Sequence, residues 1–273
     1  MSHCHVTLAA FFLAALWAMG LATAPGALAD GGPNVVGVAH VGELALNLVP
    51  PDGMSLVSGL NASGDRFLYL MNERFKLVVL AAYARIDEYQ EFCQAMERGE
   101  YRPVPNIALV AVPRRMHSRS YDAVRTAKEI KRYVTWFTLA TNTRLIAVGM
   151  EGKANRELRK KLGVDLDFTY KLGKASKVFH RTPSSLGVGV LASFKLGNGR
   201  SDNFVAAAVY QMADKLIFLS MEGLDRSDAG VESLRSELLK WGGEMAAANA
   251  PPAAVIEAKG GEPAASEAER PPA

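Results

Sequence analysis

Seven cations fall between Arg114 and Arg132: Arg114, Arg115, Arg119, Arg125, Lys128, Lys131 and Arg132. Guanidinium and ammonium groups gathered this densely share one chemistry, the holding of anions. Arginine does so through a planar fork of donors that matches phosphate or carboxylate, lysine as a point charge. The first three follow an apolar run, NIALVAV (106–112), and precede a segment with helical periodicity. A loop in that place sets side-chain charge beside the free N–H groups of a helix start, which suits an anion. Arg114, Arg115, Arg119, Lys128 and Arg132 are therefore the candidate anion-binding residues. The plainer alternative is a solvated helix face paired with acidic parts of the same chain.

The charge distribution sharpens that choice. The formal net charge is only +3, but 17 Lys and Arg stand against 6 Asp and Glu between Arg114 and Arg181. Before that stretch the balance is 6 against 10, and after it 8 against 12. A positive middle lies between two acidic ends. KANRELRKKLG (153–163) adds a second basic segment with helical spacing. Partners that fit are anionic lipid head groups, an acidic cell-wall polymer or an acidic protein. Nucleic acid is not expected, because no nucleic-acid-binding motif is present.

Residues capable of catalysis or metal binding are few. There is no G-x-S-x-G, H-E-x-x-H, C-x-x-C or P-loop. His40, His117 and His180, with Cys93, match no zinc-ligand spacing, so no metal or other cofactor is expected. His117 stands beside Arg114, Arg115 and Arg119 and reads as a loop histidine. Thr182-Pro183-Ser184-Ser185 reads as a loop with no visible partner for a nucleophile. Cys93, in the acidic helical segment IDEYQEFCQAMERG, reads as a buried structural thiol. A non-catalytic binding or accessory protein with a basic contact surface is the expectation. The alternative is a hydrolase or transferase whose site follows no familiar motif. Oligomeric state is not legible.

The elements that must position these residues follow from hydrophobic periodicity. GELALNLV (42–49) alternates like a strand, and RFLYLM (66–71) with FKLVVLAAYA (75–84) reads as a hairpin. IDEYQEFCQAMERG is a helix ending near Gly99, and NIALVAV is a buried strand. From Ser120 to Phe137, Tyr121, Val124, Ala127, Ile130, Val134 and Phe137 recur at helical spacing, with Ser120 the expected N-cap. Strands over 187–196, 204–212 and 215–223 are joined by Gly197-Asn198-Gly199 and Ala213-Asp214. Turns this short make neighbouring strands antiparallel. A helix capped by Ser227 or Asp228 follows, with Val231, Leu234, Leu238, Leu239 and Trp241 on one side. The fold class is α+β, an antiparallel sheet covered by helices.

The close of the chain, KLIFLSMEG and then LRSELLKWGGEMAAAN, resembles the end of small exported bacterial proteins in which a last strand and an amphipathic helix pack on an antiparallel sheet. The fold this implies is the PsbP-like α/β/α sandwich. The likeness covers about 60 residues and implies architecture rather than activity.

The first thirty residues contain no Lys, Arg, Asp or Glu before Asp30. An apolar run (6–24) precedes Pro25-Gly26 and the small-x-small pattern Ala27-Leu28-Ala29. That order reads as a signal peptide, 1–29, and a periplasmic or secreted protein. A second cleavage point follows Ala24, and an uncleaved inner-membrane anchor at 6–24 is the alternative. The folded region is read as 30–249, as one domain or as two subdomains at about 30–148 and 164–249. The Ala/Pro/Glu-rich tail, 250–273, has little to bury and reads as disordered.

Overall fold

A computed structural model describes residues 35–65, 68, 77–98, 100, 102, 106–143, 166–171, 177–196 and 199–250. The signal segment 1–29, the basic segment 153–163, the turn residues 197 and 198 and the tail beyond Ala250 lie outside the described residues.

The elements run β1 (Gly37–Val41), β2 (Leu44–Leu48), β3 (Ser55–Leu56), β4 (Leu77–Ala84), α1 (Ile86–Glu97), β5 (Ile107–Pro113), α2 (Ala123–Thr143), β6 (Leu166–Lys171), β7 (Val178–Arg181), β8 (Ser185–Leu196), β9 (Gly199–Met212), β10 (Lys215–Gly223) and α3 (Asp228–Ala248). The class is α+β. Among the described residues an eight-stranded sheet has the order β3-β4-β5-β10-β9-β8-β6, with β7 also on β8. All of its pairings are antiparallel. β6 pairs with Leu191–Leu196 and β7 with Leu186–Val188, so the two lie end to end along one strand. β1 and β2 form a separate hairpin.

β10 sits in the middle and is buried along its whole length, which is why its sequence is apolar on both faces. Helices cover both sides of the sheet. Tyr83, Ala108, Met221 and Ala206 share one face by register, and Tyr83 meets Trp241 of α3 edge-on at 6.0 Å. Phe218 points the other way and meets Tyr133 of α2, also edge-on at 6.0 Å. The Ser227 hydroxyl caps α3 by accepting from Gly230 N at 3.1 Å. The β1–β2 hairpin is tied to the end of α3. The indole N–H of Trp241 donates to Val49 O at 2.7 Å, and Asn249 Nδ2 donates to Asn47 O at 2.9 Å.

Three readings of the sequence are corrected. The hairpin expected from 66–71 and 75–84 falls largely outside the described residues, but Leu68, expected in its first strand, is helical, as are residues 62–65, and β4 pairs with β5 and β3. Asn61 explains it, since its side chain accepts from Ser63 N and Gly64 N and so caps a helical turn. The N-cap of α2 is Asp122, not Ser120: its Oδ1 accepts from Arg125 N at 2.7 Å. The buried stripe of α2 runs through Thr126, Ile130, Tyr133 and Phe137, which leaves Val124 79% exposed. Both strands at the β6–β7 edge went unread.

Candidate anion-binding cleft

The basic loop is built by backbone geometry. β5 ends at Pro113, whose carbonyl accepts from both Met116 N (2.7 Å) and His117 N (3.1 Å). Arg119 N then donates to Met116 O at 3.1 Å, so the chain coils tightly rather than wandering. Met116 is buried and takes the Tyr133 hydroxyl on its sulfur at 3.5 Å.

The far end of the loop is pinned to the β9–β10 turn. Tyr121 N donates to Asp214 O at 2.7 Å, and Gln211 Nε2 donates to Tyr121 O at 2.8 Å. Lys215, 4% exposed, extends its ammonium to Arg119 O at 3.1 Å, with Asp214 at 3.7 Å. The β1–β2 turn backs the loop at Gly42, where a Cβ would lie 3.1 Å from His117 O. Gly42 also has φ +63, a left-handed conformation that only glycine adopts without strain. The loop is thus fastened by the β9–β10 turn, with Lys215 on the Arg119 carbonyl and Asp214 and Gln211 on Tyr121, and backed by the β1–β2 turn at His117.

Between this loop and α2 opens a cleft of about 600 Å³ lined by Arg119, Ser120, Tyr121, Arg125, Lys128, Glu129 and Arg132. Arg125, Lys128 and Arg132 are three and four residues apart, which puts them on one side of the helix. Arg125 pairs with Asp122 at 3.7 Å and Arg132 with Glu129 at 3.5 Å. Among the described residues, Lys128 has no carboxylate within ion-pair distance. Exposed pairs of this kind contribute about 0–1 kcal/mol, so an entering anion can compete for both arginines. Tyr121 also interacts with Arg119 through its hydroxyl. Burial, and then the Glu129 carboxylate, raise the Tyr121 phenol above its ordinary range, so it stays neutral.

The five candidates read from sequence divide. Arg119, Lys128 and Arg132 line the cleft. Arg115 does not: it is half-buried and its side chain hydrogen-bonds Tyr133 on the core side of α2. Arg114 is exposed on the turn and outside the lining. Arg125 joins the cleft, and its place in the i, i+3, i+7 series was the available signal. The helix start contributes less than expected. Asp122 already takes the Arg125 N–H and sets a negative charge there, so side chains carry the attraction.

Other reactive groups lie elsewhere. Cys93 is fully buried, and burial pushes its thiol up to about 11, so it stays protonated at neutral pH. Ser185, read as part of a loop without a partner, opens β8, and its Oγ lies 2.8 Å from His180 Nε2. Glu222 is buried beside Asn203, whose Nδ2 donates to it, and burial pushes its carboxyl up to about 8. Among the described residues no group of three or more His, Cys, Asp or Glu is placed to hold a metal ion. No helix there is long and apolar enough to cross a membrane.

Comparisons with protein-family models, with curated proteins and with solved structures found no match to this chain.

Proposed function

We propose that this is an exported envelope protein that binds an anionic partner through the cleft between the basic loop and α2. One observation supports the reading above the others. Four cations from two elements, Arg119, Arg125, Lys128 and Arg132, face one cavity against a single lining carboxylate. A solvated helix face needs neither a cavity nor a loop fastened to the opposite turn by Lys215, Tyr121 and Gln211. The cleft has a lining dominated by guanidinium and ammonium groups, which suits the holding of an anion. Its volume falls within the range of about 300–1,000 Å³ typical of small-molecule sites, enough for a phosphate or carboxylate head group with part of its carrier.

The partner is anionic lipid, an acidic cell-wall polymer or an acidic protein. Sedimentation with phosphatidylglycerol vesicles, retention on isolated wall polymer and capture by an acidic protein column, each at low and physiological salt, distinguish the three. Replacing Arg119, Lys128 and Arg132 together by Ala should abolish the retention that the parent shows while leaving the thermal midpoint in place. Retention unchanged by the triple variant would remove the cleft from the account. Export belongs to the same proposal. The N-terminus of protein recovered from its host should be Asp30, and a chain beginning at Met1 would favour the anchor at 6–24.

A further inference from the structure

The hairpin at the sheet edge carries a second, separate piece of chemistry. His180 Nε2 lies 2.8 Å from Ser185 Oγ, and Thr182 Oγ1 lies 2.7 Å from the same oxygen. We infer that Ser185 and His180 are a nucleophile–base pair that transfers the acyl group of a carboxylic ester.

The polarity of the chain of hydrogen bonds supports that direction. Thr182 Oγ1 accepts from Ser184 N at 3.2 Å, and of the two hydroxyls within reach of its own proton Ser185 Oγ at 2.7 Å is nearer than Ser184 Oγ at 3.4 Å, which favours donation to Ser185. In the tautomer with the His180 proton on Nδ1, Ser185 then directs its proton at His180 Nε2, the orientation a general base requires. The residues are fixed by backbone as well. Thr182 N donates to Ser185 O, and Gln211 N donates to Ser184 O, both at 2.9 Å. Gly187, the register partner of His180, makes room for the rings: a Cβ there would sit 2.6 Å from Phe179 and 3.1 Å from His180. Ser185 is 5% exposed and His180 half-buried, so a small, unhindered ester approaching from the His180 side is the substrate class.

In the reaction Ser185 Oγ attacks the ester carbonyl and forms the Oγ–C bond. The carbonyl π pair moves onto oxygen, and the Oγ proton passes to His180 Nε2. Collapse breaks the bond to the alcohol, which leaves with that proton. Water then repeats the sequence on the acyl-enzyme and releases the acid. Among the described residues no carboxylate hydrogen-bonds the other ring nitrogen. Loss of that third group lowers turnover by about 10⁴ where a triad is known, so slow turnover and stable trapping are expected.

The test is covalent trapping on the full chain with a biotinylated fluorophosphonate, read by peptide mass spectrometry. Label should appear on Ser185 as fluoride leaves. It should be absent from Ser185→Ala and fall by about 100-fold or more in His180→Ala, the range a general base contributes. Replacing Arg119, Lys128 and Arg132 by Ala should not change it, which separates this pair from the cleft. If Ser185→Ala fails to fold, Ser185→Cys with iodoacetamide asks the same question: alkylation should be faster with His180 than without it. An unlabelled Ser185 in folded protein, or labelling and alkylation indifferent to His180, would make the cluster a clasp of the hairpin and overturn the inference.

Discussion

Glu222 shows how far one side chain can be moved from its ordinary chemistry. It projects from the central strand on the α2 side of the sheet, 5% exposed, and burial is the main cause that raises its carboxyl to about 8 from 4.5. At neutral pH it is a carboxylic acid. Among the described residues Asn203 Oδ1 beside it has no hydrogen-bond donor, and the acid proton is placed to supply one. Between pH 4.5 and about 8 the folded chain keeps a proton that the unfolded chain releases. The stability tied to Glu222 is thus full below the lower value and falls as pH rises. It falls at up to about 1.4 kcal/mol per pH unit and is flat above the upper value. Glu222→Gln should flatten that slope and unfold at higher urea than the parent at pH 8. Urea titrations at pH 5 and pH 8 check it, and equal slopes in parent and variant would contradict it. At Glu129 the expectation concerns binding. This carboxylate pairs with Arg132 inside the cleft, so Glu129→Gln should tighten anion binding several-fold, as read by titration with polyphosphate.

The elements matter because they hold the cleft open in one shape. Lys215→Met would leave the four lining cations in place but remove the donor to Arg119 O. A hydrogen bond to a charged donor contributes about 1.5–3 kcal/mol and less where it is only part-buried, and anion affinity should fall with its loss as Arg119 loosens. Circular dichroism melts and the same titration measure the two effects together. Gly42→Ala should destabilise by about 1–2 kcal/mol, because the left-handed conformation penalises a Cβ. At this scale the sequence was informative where one period dominated. β5, β8, β9 and β10 were legible as apolar runs bounded by turn or loop residues, and α1 and α3 by apolar residues three and four apart. The start of α2 was misplaced by two residues because Ser120 and Asp122 are both good caps, and only the Asp122–Arg125 bond decides between them. β6 and β7 were missed because DFTY and VFHR are short and mixed, and they form strands by pairing with β8.

Across the whole molecule, strands from both sides of the undescribed stretch 144–165 belong to one sheet, and its two faces are covered by α2 and α3. Asn249 closes the structure at the C-terminal end through bonds to Asn47 N, Asn47 O and Met245 O. Removing residues 251–273 should therefore leave the thermal midpoint within about 2 °C, whereas Asn249→Ala should lower it by more. Linear charge counting found the positive middle but not the cleft, because no spacing shows that Arg115 turns to Tyr133 while Arg119 turns to α2. The central claim is that the cleft holds anions by charge. Its most direct measurement is the affinity for polyphosphate across a salt series, in the parent and in the chain with Arg119, Lys128 and Arg132 replaced by Ala. The parent should bind at low salt and weaken steadily as the screening length shrinks to about 8 Å, and the variant should bind far less with a flatter dependence. Equal affinity and equal salt dependence in the two proteins would contradict the account.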